Sequence, residues 1–213
     1  YTEDDNKNKQ IAMALLLVIE GGIRIGNEKY EQENKSFGST TLQSRHITVN
    51  KDIVKVNFIG KKGVRNEGKI RNKKLSKNLK NKKKTLNKND PIFTYRRKNC
   101  WYKLKSSDVN NYLKKFGNFT SKNFRTLMAN INLISFLLKY NENDNKNKFL
   151  NDSIEKVSDK MNNTKTICKN SYIDPLIINL FLNDNKLFMK SFHNSNSKED
   201  INDNYVKLLK KYQ

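Results

Sequence analysis

The chain has 213 residues, with 43 Lys and Arg against 21 Asp and Glu, which gives a formal net charge of +22. This charge predicts a surface that binds a polyanion. The longest apolar run, residues 11–19, is about half of the roughly 18 residues that a membrane-spanning helix needs, which excludes a transmembrane protein. No basic segment leads into an apolar signal core, so an intracellular protein is expected. Cys100 and Cys168 lack disulfide or zinc-site spacing, and free thiols are expected.

The position of the positive charge says more than its total, because Lys and the 34 Asn residues both have AT-rich codons. Residues 1–60 hold 8 basic and 8 acidic side chains, residues 61–98 hold 16 and 2, and residues 99–213 hold 19 and 11. The middle segment therefore carries most of the positive charge. Residues 69–84 have the pattern of a basic helix or arm. This segment can be a plain solvent-exposed face or can bind along the phosphates of a nucleic acid, and the sequence favours neither interpretation.

The first part of the chain predicts one helix followed by a small antiparallel sheet. A helix over 7–21 has 3.6-residue apolar spacing, a cap at Asp5 or Asn6, and a stop at Gly21. Alternating β-branched residues predict strands over 46–49 and 53–59, joined by a tight turn. Residues 64–70 can add a third strand.

The rest of the chain is predicted to be mostly helical. Helices are expected over 76–86, 106–116, 121–140, 149–161, 173–182 and 199–212, and the segment 183–196 is expected to be flexible. The predicted fold class is α+β, a mostly helical domain with a small antiparallel three-stranded sheet in its N-terminal part. We find no internal repeat and expect a single domain over 1–213.

Common catalytic motifs are missing from the sequence. It has no Gly-rich phosphate loop, no HExxH and no GxSxG. Its two histidines, His46 and His193, cannot build a common metal site. We therefore expect no cofactor and no metal site, and the remaining candidates are basic residues and one tyrosine.

Several strings resemble, in the same order, the catalytic domain of type IB DNA topoisomerases of the poxvirus, giant-virus and bacterial branch. These strings are Ile23–Tyr30, Ser36–Leu42, His46–Val49, Phe58–Lys61, Ser107–Leu113, Phe119–Thr126 and Asn163–Pro175. The resemblance implies the fold shared with tyrosine recombinases. It also implies relaxation of duplex DNA without ATP or metal, through a 3′-phosphotyrosyl intermediate and a free 5′-hydroxyl.

The resemblance also implies roles for residues at matching positions. The implied catalytic residues are Tyr172 as nucleophile, Arg24 and Arg125 on the nonbridging phosphate oxygens, Lys61 as general acid, Lys122 as its assistant, and Asn163 as a donor to the phosphate. We further assign DNA binding to Tyr30, Lys62, Lys69 and Arg71.

The residue types suit this chemistry. A pentacoordinate phosphorane gains charge on its nonbridging oxygens, which two planar guanidiniums can bind with charge-assisted hydrogen bonds. A phosphotyrosyl link conserves the energy of the broken phosphodiester, so religation needs no nucleotide. Lys122 and Arg125 are three residues apart on the predicted helix, which allows both to point into one pocket.

Two departures from the family pattern bear on function. Many relatives have His where Asn163 stands, and Asn keeps a neutral donor but loses any proton-transfer role. The family also has an N-terminal β-rich clamp domain, and this chain begins just inside the first catalytic helix, so we expect it to be a fragment. The expected partner is double-stranded DNA, and we expect a monomer.

Two alternatives stay open from the sequence. A site-specific tyrosine recombinase or integrase would share the fold, although recombinases usually show His-x-x-Arg where this chain has Lys122-x-x-Arg125. A noncatalytic DNA-binding module would need only the basic segment 61–98. The set of Arg24, Lys61, Arg125 and Tyr172 favours the enzyme over such a module.

Overall fold

The computed structural model describes residues 3–212 and divides the chain into two compact units, Tyr1–Arg125 and Thr126–Gln213. The expected single catalytic domain stays a prediction, because two compact units can together form one functional domain.

The first unit combines helices with two small sheets. Its elements are α1 (Glu3–Gly21), α2 (Glu28–Asn34), β1 (Ile47–Asn50), β2 (Ile53–Ile59), β3 (Arg65–Arg71), α3 (Lys73–Lys83), β4 (Thr94–Arg97), β5 (Cys100–Lys103) and α4 (Ser106–Leu113). The described part of the second unit is helical. Helix α5 (Ser121–Leu137) contributes residues to both units and is followed by α6 (Lys146–Lys160), α7 (Lys165–Ser171), α8 (Pro175–Asn183), α9 (Asn185–Phe192) and α10 (Lys198–Tyr212). The predicted α+β class is confirmed.

The three-stranded sheet has the order β1-β2-β3, with both pairs antiparallel. Along β2 the side chains of Val54, Val56 and Phe58 are buried, and the residues between them are exposed. Lys55 lies opposite Lys69 on the exposed face. This alternation is the period of a half-buried strand, and it explains why the sequence predicted these strands to within one residue.

Three predicted helix starts were wrong by three or four residues, including that of α6, which begins at Lys146 rather than at residue 149 because Asn145 caps it. Helix α1 begins at Glu3, so the expected cap at Asp5 or Asn6 lies inside the helix. There, the Asn6 side chain accepts a hydrogen bond from the Gln10 side chain at 3.2 Å. Helix α3 begins at Lys73 because the Asn72 side chain accepts from the backbone N–H of Leu75 at 3.0 Å and thereby caps the helix.

Three helices and one hairpin were not predicted from the sequence. Helices α2, α7 and α9 have only seven or eight residues, too few to show a clear 3.6-residue pattern. The expectation that 183–196 is flexible was wrong, because α9 buries Phe188 and Phe192. The β4–β5 hairpin carries charged and aromatic residues without apolar alternation, and its turn has Lys98 and Asn99 at φ 45° and 64°.

Each unit has its own hydrophobic core. In the first unit α1, the three-stranded sheet, α3 and α4 pack around large side chains that include Leu17, Leu42 and Phe93. In the second unit α5 to α10 pack around Phe181, Phe188 and other apolar residues. Within residues 3–212, no helix is both long and apolar enough to cross a membrane.

Candidate active site

Arg24 lies in a short segment that follows α1 and pairs with a second segment through the backbone. Its carbonyl oxygen accepts a hydrogen bond from the N–H of Ser39 at 2.7 Å. The carbonyl oxygen of the next residue, Ile25, accepts from the N–H of Thr40, also at 2.7 Å. The Thr40 hydroxyl donates to the same Ile25 oxygen at 2.9 Å. These bonds fix the backbone on which the half-buried Arg24 side chain is carried.

The two segments approach so closely that a side chain at residue 38 would not fit. A Cβ on Gly38 would lie 2.5 Å from the backbone N and Cα of Gly26 and 2.7 Å from the carbonyl oxygen of Arg24. Gly26 itself has φ +96°, which also favours glycine. The glycines of the strings Ile23–Tyr30 and Ser36–Leu42 therefore have a packing role at Arg24.

Lys61 lies in the turn that joins β2 to β3, and its side chain is exposed. The N–H of Gly60 donates to the carbonyl oxygen of Val64 at 2.8 Å and closes the turn. Beneath it the buried Asn66 side chain donates to the same oxygen at 2.8 Å. The fixed turn gives Lys61 a defined backbone position.

One backbone segment joins the Lys61 turn to Arg24. The N–H of Phe37 donates to the carbonyl oxygen of Ile59 at 2.8 Å, two residues before Lys61. Two residues after Phe37, the N–H of Ser39 makes the bond to Arg24 described above. The structure thus brings the backbones that carry these two cations into one neighbourhood.

Arg125 reaches the same neighbourhood from α5. Its side chain is only 4% exposed, and its guanidinium donates a hydrogen bond to the carbonyl oxygen of Gly22, two residues before Arg24. Lys122, one turn earlier on the helix, is exposed. The helical spacing of Lys122 and Arg125 is as expected, but their burial differs, and a shared pocket stays a prediction.

Tyr172 lies in the second unit at the C-terminal end of α7, where its N–H donates to the carbonyl oxygen of Cys168 at 3.1 Å. The sequence predicted a polar connection around Tyr172, but this residue instead follows the last turn of a helix. Its side chain is half-buried and packs against the second core.

The side chain of Asn130 on α5 holds the backbone on both sides of Tyr172. Its amide nitrogen donates to the carbonyl oxygen of Tyr172 at 2.9 Å, and its amide oxygen accepts from the N–H of Asp174 at 2.8 Å. The amide nitrogen also donates to the carbonyl oxygen of Thr126 on the same helix at 2.9 Å. Asn130 therefore fixes the backbone of Tyr172 against a core helix.

Asp174 extends this arrangement. One carboxylate oxygen caps α8 by accepting from the N–H of Leu176 at 2.9 Å, and the other accepts from the hydroxyl of Tyr205 at 2.7 Å. Burial, and next the hydrogen bond to Asp174, raise the pKa of the Tyr205 hydroxyl. Tyr205 therefore stays a neutral donor at physiological pH.

Asn163 lies just before α7, so this short helix separates it from Tyr172. Its N–H donates to the carbonyl oxygen of Ser158 at 3.0 Å. The next residue, Thr164, caps α7 by accepting from the N–H of Ile167 at 3.3 Å. Asn163 and Tyr172, the candidate catalytic residues of the second unit, therefore lie at the two ends of α7.

The predicted DNA-binding residues are all exposed, but they are not equivalent. Tyr30 is 49% exposed on α2, and Lys62 takes φ 63° in the turn beside Lys61. Lys69 lies on the outer face of the three-stranded sheet. Arg71, at the end of β3, pairs with Asp52 at 3.6 Å, which offsets part of its charge.

His46 is a core residue. Its ring lies 4.4 Å from the ring of Phe37, and its Nδ1 accepts from the N–H of Gln43 at 3.1 Å. Burial, and next the charge of Arg45, lower the pKa of His46 to about 4. Among the side chains that the structure describes, there is no cluster of three His, Cys, Asp or Glu that could hold a metal ion.

The sequence analysis missed Asn130. The signal was present, because Asn130 and Asn132 interrupt the apolar stripe of α5, and a polar side chain at a buried helix position needs hydrogen-bond partners. The sequence could not show that the partners of Asn130 flank Tyr172.

A family model matches most of the chain. Residues 1–179 match the family model of the eukaryotic DNA topoisomerase I catalytic core. The chain therefore belongs to the DNA topoisomerase I family, and the predicted resemblance to type IB enzymes is confirmed.

Three relatives illustrate the similarity. DNA topoisomerase 1B of Acanthamoeba polyphaga mimivirus is 27% identical over 98% of this chain and 64% of its own length. DNA topoisomerase 1 of Daucus carota is 29% identical over 62% of this chain and 17% of its own length. DNA topoisomerase 1B of vaccinia virus, strain Copenhagen, is 36% identical over 29% of this chain and 20% of its own length. The chain thus spans 64% or less of each of these relatives.

Proposed function

We propose that this chain is the catalytic part of a type IB DNA topoisomerase, which relaxes supercoiled duplex DNA inside the cell without ATP or metal. The observation that supports the proposal is that hydrogen bonds link the segments that carry Arg24, Lys61 and Arg125 within the first unit. Arg125 bonds to the backbone two residues before Arg24, and the segment 37–39 joins Arg24 to the strand that ends at Lys61.

In the proposed reaction, the phenolic oxygen of Tyr172 attacks a backbone phosphorus while its proton passes to solvent water. A P–O bond to tyrosine forms, and the P–O5′ bond breaks. Arg24 and Arg125 stabilise the charge that develops on the nonbridging oxygens, while Lys61, assisted by Lys122, gives a proton to the leaving O5′. Asn163 donates a neutral hydrogen bond to the phosphate.

Religation reverses these steps after the free end has rotated. The 5′-hydroxyl attacks phosphorus, the bond to Tyr172 breaks, and the phenol is restored. The positively charged outer face of the sheet, with Lys62 and Lys69, and the exposed Tyr30 are proposed to contact the duplex. Membership in the topoisomerase family favours this reaction over site-specific recombination.

Plasmid relaxation in EDTA without ATP tests the proposal. The unchanged chain should relax supercoiled DNA, and Tyr172→Phe should bind the same DNA but not relax it. Tyr212→Phe is the matched control, because Tyr212 is an exposed tyrosine at the end of α10. DNA binding by the unchanged chain with neither relaxation nor a covalent protein–DNA complex would instead support the noncatalytic module.

A further inference from the structure

Two adjoining cavities lie in the first unit, and neither Arg24 nor Lys61 lines them. They measure about 400 and 490 Å³, within the range of small-molecule sites. Both are lined by Lys82 of α3 and by Thr94 and Trp101 of the β4–β5 hairpin. None of these three residues has a part in the proposed reaction.

Trp101 presents an indole to these cavities while remaining 67% exposed. In the hairpin it pairs with Arg96 on one face, whereas Tyr95 and Tyr102 pair and stack on the other face with 5.8 Å between ring centroids. Tyr95 is buried in the first core, whereas Tyr102 is 45% exposed. A large exposed aromatic ring at the wall of a cavity is a platform for a planar ligand.

Lys82 provides a cation inside the first cavity. Its ammonium donates to the side-chain oxygen of Gln10 at 2.9 Å and to the carbonyl oxygen of Thr94 at 3.3 Å. Both acceptors are neutral, and no carboxylate of the described side chains forms an ion pair with Lys82. Burial, and next the charge of Lys9, lower the pKa of Lys82 to about 8. An anion in this cavity would compensate both charges.

The two cavities differ in the ligand group that they suit. The first is also lined by Lys9 and the amide side chains of Asn78 and Asn81, which suits a phosphate. The second is lined by Leu86, Pro91 and the carboxylate of Asp90, which suits an uncharged ring and disfavours an anion.

We propose that these cavities bind one nucleotide, with its base on Trp101 and its phosphate between Lys9 and Lys82. The nucleotide can be free or can belong to single-stranded DNA, since both offer the same base and phosphate. A duplex keeps its bases stacked and cannot place one on the indole, so this site is distinct from the surface proposed for duplex DNA. An acidic peptide offers anions but no ring for Trp101.

Trp101 is the single tryptophan of the chain, so its fluorescence reports on this site alone. The 213-residue chain is titrated with dAMP, with the oligonucleotide (dT)₆, and with hexaglutamate. We expect saturable quenching by dAMP or (dT)₆. Quenching by both indicates a site for free nucleotides as well, whereas quenching by (dT)₆ alone indicates a site for single strands; either result supports the proposal.

Lys82→Gln should raise the dissociation constant at least about tenfold, because a charge-assisted contact to phosphate is lost. The matched control is Lys84→Gln, an exposed lysine just after α3 that lines neither cavity, and it should change the constant less than about twofold. Lys9→Gln, at an exposed position, should also weaken binding and serves if Lys82→Gln does not fold.

Three results would overturn the proposal. The first is the absence of saturable quenching by both dAMP and (dT)₆. The second is an equal change of the dissociation constant in Lys82→Gln and in the control Lys84→Gln. The third is hexaglutamate binding as tight as that of (dT)₆, which would indicate an acidic protein partner.

Discussion

Arg125 donates a hydrogen bond from its guanidinium to the carbonyl oxygen of Gly22, the residue two positions before Arg24. The bond joins residues 103 positions apart. The guanidinium is thereby held by backbone at the end of α1, and the proposed phosphate-binding pair shares one rigid support. Rigid support matters because misplacement of a catalytic group by about 1 Å can cost roughly a hundredfold in rate.

Lys61→Ala should slow cleavage of a normal phosphodiester by about 10² to 10⁴-fold, the usual contribution of a general acid. A substrate with sulfur in place of the leaving O5′ should be cleaved nearly as fast by the variant as by the unchanged chain, since a thiolate leaves without a proton. Single-turnover cleavage of the two substrates gives the comparison. Lys62→Ala in the same turn is the control, and equal slowing of both substrates by Lys61→Ala would remove the general-acid role.

Asn130→Ala should slow cleavage about 10 to 100-fold while DNA affinity stays unchanged, because the Tyr172 backbone loses its support. The lost hydrogen bonds should also lower the free energy of unfolding by about 1–3 kcal/mol. Asn132→Ala is the matched control. Both asparagines donate to the carbonyl four residues earlier, Thr126 at 2.9 Å and Met128 at 2.7 Å, but only Asn130 bonds to the backbone around Tyr172. Equal rates for the two variants would show that Asn130 does not position the tyrosine.

Gly38→Ala should lower the free energy of unfolding by about 1–3 kcal/mol, because the new methyl group meets the backbone of Gly26 and Arg24. Chemical denaturation measures the change. At Gly68 an added Cβ would meet chiefly a Val56 methyl group at 3.2 Å, so Gly68→Ala should cost less than about 1 kcal/mol. The close approach at Arg24 would be refuted by a Gly38→Ala chain as stable as the unchanged one.

His46 should make stability depend on pH between about 4 and 6.5. Its folded pKa is lowered to about 4, so the unfolded chain binds more protons in this window. The difference in the pKa of His46 lowers stability only at acidic pH: its contribution to the free energy of unfolding is complete above pH 6.5 and is lost as the pH falls toward 4. His46→Asn keeps an acceptor for the Gln43 N–H but does not titrate, and the difference in unfolding free energy between the two chains should therefore vary across this window. A constant difference would mean that folding leaves the pKa of His46 unchanged.

The parts of the fold that were predicted correctly are those with a strong local pattern. The alternation in β2 and the broad apolar stripe of α5 each fixed an element type, and Gly21 marked the end of α1. Short helices such as α7 and α9 were missed because their stability comes from packing between elements distant in sequence, as the burial of Phe188 shows.

The candidate site was predicted from resemblance rather than from local pattern. Arg125 alone has the sequence features of any arginine on a helix. Its bond to Gly22 and the contact of Asn130 with the Tyr172 backbone depend on tertiary structure. The cavity beside Trp101 could not be inferred either, because it joins α1, α3 and a hairpin that the sequence did not reveal.

The most direct test of the proposed chemistry is to identify the amino acid that becomes linked to DNA. The chain is incubated with a duplex that traps the cleaved intermediate, the complex is digested with protease, and the DNA-bearing peptide is sequenced by mass spectrometry. The chain contains nine tyrosines, so the assignment is selective. We predict one adduct, on Tyr172, joined to the 3′-phosphate with a free 5′-hydroxyl on the released strand. An adduct on another tyrosine, a 5′ linkage, or an adduct that persists in Tyr172→Phe would contradict the account.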